Sequence, residues 1–327
     1  MQIHMIAERQ HIKTVRHIPT PLQVAGWEAR RYWANSASKR LTIIAFGLFA
    51  LLSWPLHHPG EVGFSSGAVQ INYLFSGTSA YGMVYLIFSY SFLLALLLPL
   101  VSSSGVAHDV KDRTHELLMT TTVPSWAYII GRYLFYLFAS MCLSLILLVT
   151  VLLMGLIYHL AEHNYLAPQV DVVLGIWAIG ILPMTIVISS LSFVLGTLFP
   201  RRPNVAALGV IVAWYLPVFL LLLVPVSGIQ LPLWTKTWDP TNIGMGSALQ
   251  APYQRGLDTI MQSPLSNRGI VTMSDGQHLV AQLQALEQKM PDLLPWLVPH
   301  LVWAGVGLTL VLVVAVTFKR FRSVLNG

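Results

Sequence analysis

Uncharged apolar runs set the pattern of this chain, and the charged residues fall between them. The runs extend from Leu41 to about Leu56, Gly82 to Val101, Tyr133 to Tyr158, Val172 to Phe199, Asn204 to Val226 and Trp296 to Phe318. A hydrocarbon core about 30 Å thick takes about 20 apolar residues in a helix, so all but the short first run match a bilayer directly. Backbone in lipid must satisfy its own hydrogen bonds, and runs this long exceed core strands, so each predicts a transmembrane helix. Pro183 interrupts the fourth run, and only residues 200–203 separate it from the fifth. The expected fold class is an all-α polytopic membrane protein. It has six transmembrane helices, an N-terminal interfacial helix, and a larger outer loop region between helices five and six. The chain then divides into an arm with the interfacial helix (1–40), helices one to five (41–226), an extracytoplasmic region with short helices (227–295), and helix six with a basic tail (296–327).

Composition agrees, with 10% charged and 55% hydrophobic residues; soluble domains carry roughly a quarter charged. The net charge of +6 does not point to nucleic acid, because the basic residues flank apolar runs instead of forming a stripe with interleaved aromatics. Lipid headgroups are the expected partner of these charges. Their distribution also orients the chain. With the N-terminus inside, the inner segments hold 15 of the 19 lysines and arginines, among them Arg30, Arg31, Lys111, Arg113, Arg201, Arg202, Lys319 and Arg320. Only Lys236, Arg255, Arg268 and Lys289 fall outside. The positive-inside rule therefore places the chain in the cell membrane as a multi-pass protein with both termini cytoplasmic. The single cysteine, Cys142, lies in an apolar run and implies no disulfide framework.

Three segments between the runs carry information. From Leu22 to Ser36, the residues Leu22, Ala25, Ala29, Tyr32 and Trp33 recur at helical spacing, with Glu28, Arg30 and Arg31 elsewhere on the wheel. This predicts a helix lying in the interface, with Trp27 and Trp33 in the headgroup layer. The inner loop from Ser102 to Trp126 is the most charged stretch, and it turns apolar at Glu116, Leu117, Leu118 and Met119 before Pro124. That pattern predicts a short amphipathic helix facing a partner outside the bilayer. In the outer region, Leu279, Val280, Leu283, Leu286 and Met290 sit at 3.6-residue spacing behind Ser274 and Asp275, which can cap a helix.

Chemistry is sparse. No apolar run holds Asp, Glu, Lys or Arg away from its ends, which argues against a proton- or ion-coupled carrier. His57, His58, His159, His163 and His300 gather near the outer run ends and read as interfacial residues, with no metal ligand set assigned. No nucleophile motif is present, and catalysis by this chain is not expected. No Gly-x-x-x-x-Gly-Lys-Ser/Thr loop occurs either, so nothing here cradles a triphosphate. On the residues alone, a membrane scaffold or channel and a metal or haem protein using the outer histidines stay open beside a transport subunit.

The loop Asp109-Val110-Lys111-Asp112-Arg113-Thr114-His115-Glu116-Leu117-Leu118-Met119-Thr120-Thr121 resembles the cytoplasmic signature of type 2 ATP-binding-cassette (ABC) export permeases. In that family the pattern is acidic-basic-x-x-Gly-Thr-Leu-Glu-Leu-Leu-Leu-Thr-Thr-Pro, between the second and third of six helices. Arg113 and His115 replace the usual Gly and Leu, and the proline falls two residues late at Pro124. The segment from Trp27 to Trp33 is similar to the family's elbow helix, and Trp238-Asp239-Pro240-Thr241-Asn242 resembles its Asn-Pro element. The resemblance implies a transmembrane exporter subunit that pairs with a second permease copy or paralogue and sits on ABC ATPase subunits. ATP and Mg would be bound on those partners, with no cofactor bound by this chain. It also implies that Asp109, Lys111, Asp112, Arg113, Thr114, Glu116, Leu117, Leu118 and Met119 dock the ATPase.

Overall fold

A computed structural model describes residues 20–34, 43–45, 47–51, 57–66, 69–103, 123–226, 236–262 and 273–317. The chain begins with helix α1 (Pro21–Ala34), followed by a hairpin of β1 (Glu61–Ser66) and β2 (Val69–Leu74). Four helices come next: α2 (Ala80–Ser102), α3 (Ser125–Ala161), α4 (Val170–Leu198) and α5 (Pro203–Val226). Helices α6 (Ile243–Met261), α7 (Met273–Glu287) and α8 (Leu294–Thr317) complete the chain. Among the described residues α2, α3, α4 and α8 are long and apolar enough to cross a membrane, and they coincide with the second, third, fourth and sixth runs. The fifth run is α5, whose stretch Pro203–Leu216 is apolar throughout. The first run lies partly outside the described residues, and its residues 43–45 and 47–51 are helical.

The sequence places each boundary for a local reason. Ser79 stands in extended conformation ahead of α2, and its hydroxyl accepts the Gly82 N–H at 3.1 Å, capping an otherwise orphan donor. Helix α3 has 37 residues, about 55 Å at 1.5 Å per residue, well beyond the hydrocarbon core. Arg132 lies in its first turns, ahead of the apolar run that begins at Tyr133. Helix α4 does not break at Pro183. The missing N–H and the ring are accommodated by a π-helical turn over Trp177–Ile181, and the helix continues to Leu198.

The helix ends sort to two ends of the bundle. Thr78, Gln169 and Ala80 are joined by hydrogen bonds, bringing the start of α2, the start of α4 and the hairpin together. At the opposite end, Val24, Val123, Tyr128, Val194, Val311 and Ala315 form one apolar cluster with the ends of α4 and α8. A larger core around Leu94, Leu98, Leu147, Ile176, Met184 and Ile188 fills the middle.

Three details depart from expectation. The fold is not purely helical, since β1 and β2 pair antiparallel from Glu61 opposite Leu74 to Ser66 opposite Val69. Glu28 is not on the outward polar face of α1 but buried beside Val24, for a reason given below. Met290 lies beyond the end of α7 and is exposed, whereas Leu279 and Leu283 are buried as their spacing predicts.

Candidate coupling site at the base of the helix bundle

Helix α1 is held against the projecting base of α3 by an ion pair in an apolar setting. Arg132 Nη1 lies 2.8 Å from Glu28 Oε1, with the two side chains only 6% and 8% exposed. Tyr136 donates its hydroxyl to the same carboxylate oxygen at 3.1 Å. The guanidinium also lies over the Tyr128 ring, 5.3 Å from its centroid. Burying two charges is costly unless they are paired and hydrogen-bonded, and here both conditions hold. The residues Val24, Glu28 and Tyr32 share one stripe at i, i+4 spacing, so a carboxylate on the apolar face of α1 meets the one arginine that α3 carries.

Close backbone approach tightens this joint. A Cβ on Gly131 would lie 2.5 Å from the Pro21 carbonyl oxygen and 2.6 Å from Val24 Cβ, so α1 could not pack as it does on any larger residue. A second joint fixes the end of α2, where a Cβ on Gly196 would lie 2.0 Å from the Ser103 carbonyl oxygen. Ser102 and Ser140 share a hydroxyl hydrogen bond at 2.9 Å just above it. Ser103 and Val123 are the two roots of the loop 104–122. One root is pressed on α4, and the other is buried with α1 and α3.

A polar seam crosses the middle of the bundle. Asn242 adopts the left-handed conformation with φ 67°, which asparagine tolerates better than most residues. It is set there by Asp239, whose carboxylate accepts the N–H groups of Thr241 at 2.9 Å and Gly244 at 2.8 Å. The Asn242 amide donates to Ser91 Oγ at 3.0 Å, midway along α2, and its oxygen faces Gly180 in the π turn of α4. Tyr133 and Ser190 share a further hydroxyl hydrogen bond at 2.8 Å. Asn242 Oδ1 and Ser189 Oγ are buried without a hydrogen-bond partner among the described residues. Such atoms are rare in packed interiors, and of the two Asn242 Oδ1 lies at the π turn.

The sequence profile of ABC-2 family transporter proteins matches residues 61–263, from the hairpin through α6. The chain belongs to the ABC-2 transporter family. It is therefore a multi-pass membrane permease component of an ABC transporter, and the family implies association with an ABC ATPase subunit. A comparison with curated proteins returned no match.

Within this ABC-2 permease the expected site residues fall in two groups. Asp109, Lys111, Asp112, Arg113, Thr114, Glu116, Leu117, Leu118 and Met119 lie outside the described residues, between the two roots. In α1, Trp27, Arg30, Arg31 and Trp33 are exposed, while Glu28 is buried. Arg132 and Tyr136 were not legible as site residues, because nothing near them in sequence announces a buried carboxylate partner. The signal that was present is an acid on the apolar stripe of α1 and a lone arginine at the start of an apolar run.

Proposed function

We propose that this chain is the transmembrane subunit of an ABC-type exporter. It forms the translocation pathway as a dimer and is driven by separate ATPase subunits, which carry ATP and Mg, through the loop between α2 and α3. The observation that carries the reading is the pair of joints at the loop roots, within a chain of this family. A force applied to residues 104–122 would pass through Ser103 into α4 and through Val123 into α1 and α3. Helix α1 then serves as the elbow helix, with Glu28 and Arg132 making it move with α3.

Six crossings are supported by the sorting of helix ends. Ala34 ends α1 at the base, while His57 lies at the hairpin end, where Gly77 N–H donates to its carbonyl at 2.7 Å. Between them lie the helical residues 43–45 and 47–51 of the first apolar run. With α2, α3, α4, α5 and α8 this makes six, and the basic residues put the base and both termini in the cytoplasm. Pairing with a second copy is supported by α5, which exposes Val205, Leu208, Val212, Leu216 and Phe219 at three- and four-residue spacing. That is the stripe a helix presents to another helix.

The test targets the loop. Truncating Leu117 and Leu118 to Ala removes on the order of 2–4 kcal/mol if both are buried at the contact, weakening ATPase assembly by one or more powers of ten. Glu116→Lys should slow assembly most at low salt. The measurement is co-purification of the ATPase and its turnover in the complex, against unchanged yield of the permease. Full assembly and turnover in both variants would reduce the loop to a connector.

A further inference from the structure

At the hairpin end, far from the coupling joints, two histidines and a glutamate converge from opposite parts of the chain. His58 Nε2 lies 2.9 Å from Glu162 Oε2, and His57 Nε2 lies 3.5 Å from Glu162 Oε1. One ligand-competent atom from each of the three lies within 4.8 Å of the others. We infer that His57, His58 and Glu162 form a binding site for a borderline divalent transition metal of the Zn2+ class.

Four observations support this assignment. The donor set, two imidazole nitrogens and one carboxylate oxygen, is the type Zn2+ takes in open three-ligand sites. Around an ion with bonds of about 2.0–2.1 Å, tetrahedral ligand atoms sit roughly 3.3 Å apart, and the observed separations bracket that value. Neighbouring groups hold both rings in place. His58 Nδ1 lies 3.1 Å from the Phe75 carbonyl oxygen, which accepts its N–H, so Nε2 is the ring nitrogen that would meet an ion beside Glu162. The His57 ring stacks on Tyr158 at 4.6 Å, and the His58 ring packs on Tyr165. The backbone that carries both histidines is pinned, since His57 and Gly60 each accept a hydrogen bond through the carbonyl, from Gly77 and Phe75. Finally, the side chains of His57, His58 and Glu162 are 25%, 18% and 39% exposed, which leaves an ion a route in and a position for water.

A doubly protonated histidine pair fits these positions less well. The two imidazole rings lie 4.2 Å apart, so two imidazolium charges would repel beside a single carboxylate. One dication satisfies both nitrogens and the carboxylate together. The neighbouring His159 is committed through Nδ1 to the Tyr165 carbonyl at 2.6 Å and takes no part. Such an ion would fasten the segment following the first apolar run to the outer end of α3, joining elements more than 100 residues apart.

The experiment uses the full-length permease, purified without a polyhistidine tag and stripped with chelator. Zn2+ alone is titrated against a chromophoric competitor, with bound metal counted by mass spectrometry. We expect one Zn2+ per chain and a rise in Tm on its addition. Affinity should fall roughly tenfold or more in His57→Ala, His58→Ala and Glu162→Gln, and stay unchanged in His278→Ala, an exposed histidine on α7. Glu162→Gln keeps the size of the side chain, so loss of binding with retained Tm in the metal-free state separates ligation from misfolding. Less than one tight Zn2+ per chain would overturn the site, as would equal affinity in the three ligand variants. A Tm that follows pH but ignores Zn2+ would overturn it too.

Discussion

Glu28 and Arg132 form the kind of pair whose value depends on which partner is removed. Taking away one member leaves a buried charge unpaired, so Glu28→Leu or Arg132→Met alone should cost about 3–5 kcal/mol. The double variant should recover most of that loss, because an apolar pair of similar volume avoids the desolvation penalty altogether. Thermal unfolding of the detergent-solubilised protein reads both outcomes, and additive losses in the double variant would show that the two side chains do not act together. Gly196 gives a different residue-scale test. A Cβ at this position would fall on the Ser103 backbone oxygen and not on a movable side chain. Gly196→Ala should therefore destabilise by about 1–3 kcal/mol through a forced shift of α2 against α4. A Tm equal to the parent's would show that this joint is loose. At this scale the sequence was legible only in halves. An acid on the α1 stripe and an arginine at the start of α3 are both visible, but only the fold brings residues 28 and 132 together.

Elements were easier to read where lipid dictates them. An uncharged run of 20 residues has one solution in a bilayer, and α2, α3, α4, α5 and α8 follow the runs within a few residues, apart from the longer start of α3. Pro183 misled in degree, because a π turn absorbs it and α4 stays whole. The hairpin escaped a reading tuned to long apolar runs, although Val62, Phe64, Val69, Ile71 and Tyr73 alternate as strand residues do. The hairpin is tied to α7 through Glu287, which is wholly buried and accepts the Ser76 N–H at 2.6 Å and the Tyr73 hydroxyl. Burial pushes the Glu287 carboxyl above its ordinary range, and the hydrogen bonds from Tyr73 and Ser76 pull only partly back. The folded state thus holds this proton when the unfolded chain has already lost it. As pH rises from about 4.3, the ordinary glutamate value, through the raised folded value, the folded state binds more protons and stability must fall. Tm measured between pH 4 and 8 should show a decline that Glu287→Gln removes, since the amide is neutral throughout. Glu287→Ala should instead lower Tm at every pH, leaving the buried Ser76 N–H unpaired at about 1–3 kcal/mol and the half-buried Tyr73 hydroxyl without its acceptor. An identical pH profile in parent and Glu287→Gln would exclude this carboxyl as its source.

For the whole molecule the proposed orientation puts the α1 end of the bundle in the cytoplasm. Charge counting puts 15 basic residues on one side and four on the other, as the positive-inside rule requires. Packing independently gathers α1, both loop roots and the far ends of α4 and α8 at one end, with the hairpin, α7 and the start of α8 at the other. The two assignments coincide, because the basic segments Arg30–Arg31, Arg132 and Arg201–Arg202 all fall at the α1 end. What the sequence could not supply is depth. Asn242, in a stretch read as an outer loop, reaches Ser91 midway along α2, so α6 starts inside the bundle and climbs outward to where Tyr85 meets Gln254. Since Cys142 is the native chain's single thiol and lies in an apolar run, cysteines placed elsewhere report the sides cleanly. Ser274→Cys, exposed on α7, should react in intact cells with a membrane-impermeant maleimide. Ser104→Cys and Ser323→Cys should react only after the membrane is opened. Six crossings demand that 104 and 323 behave alike and opposite to 274, while an odd number of crossings after residue 104 would separate 104 from 323. Equal labelling of Ser274→Cys and Ser323→Cys in intact cells would break the six-crossing model, and labelling of Ser104→Cys in intact cells would remove the loop 104–122 from the side where an ATPase can reach it.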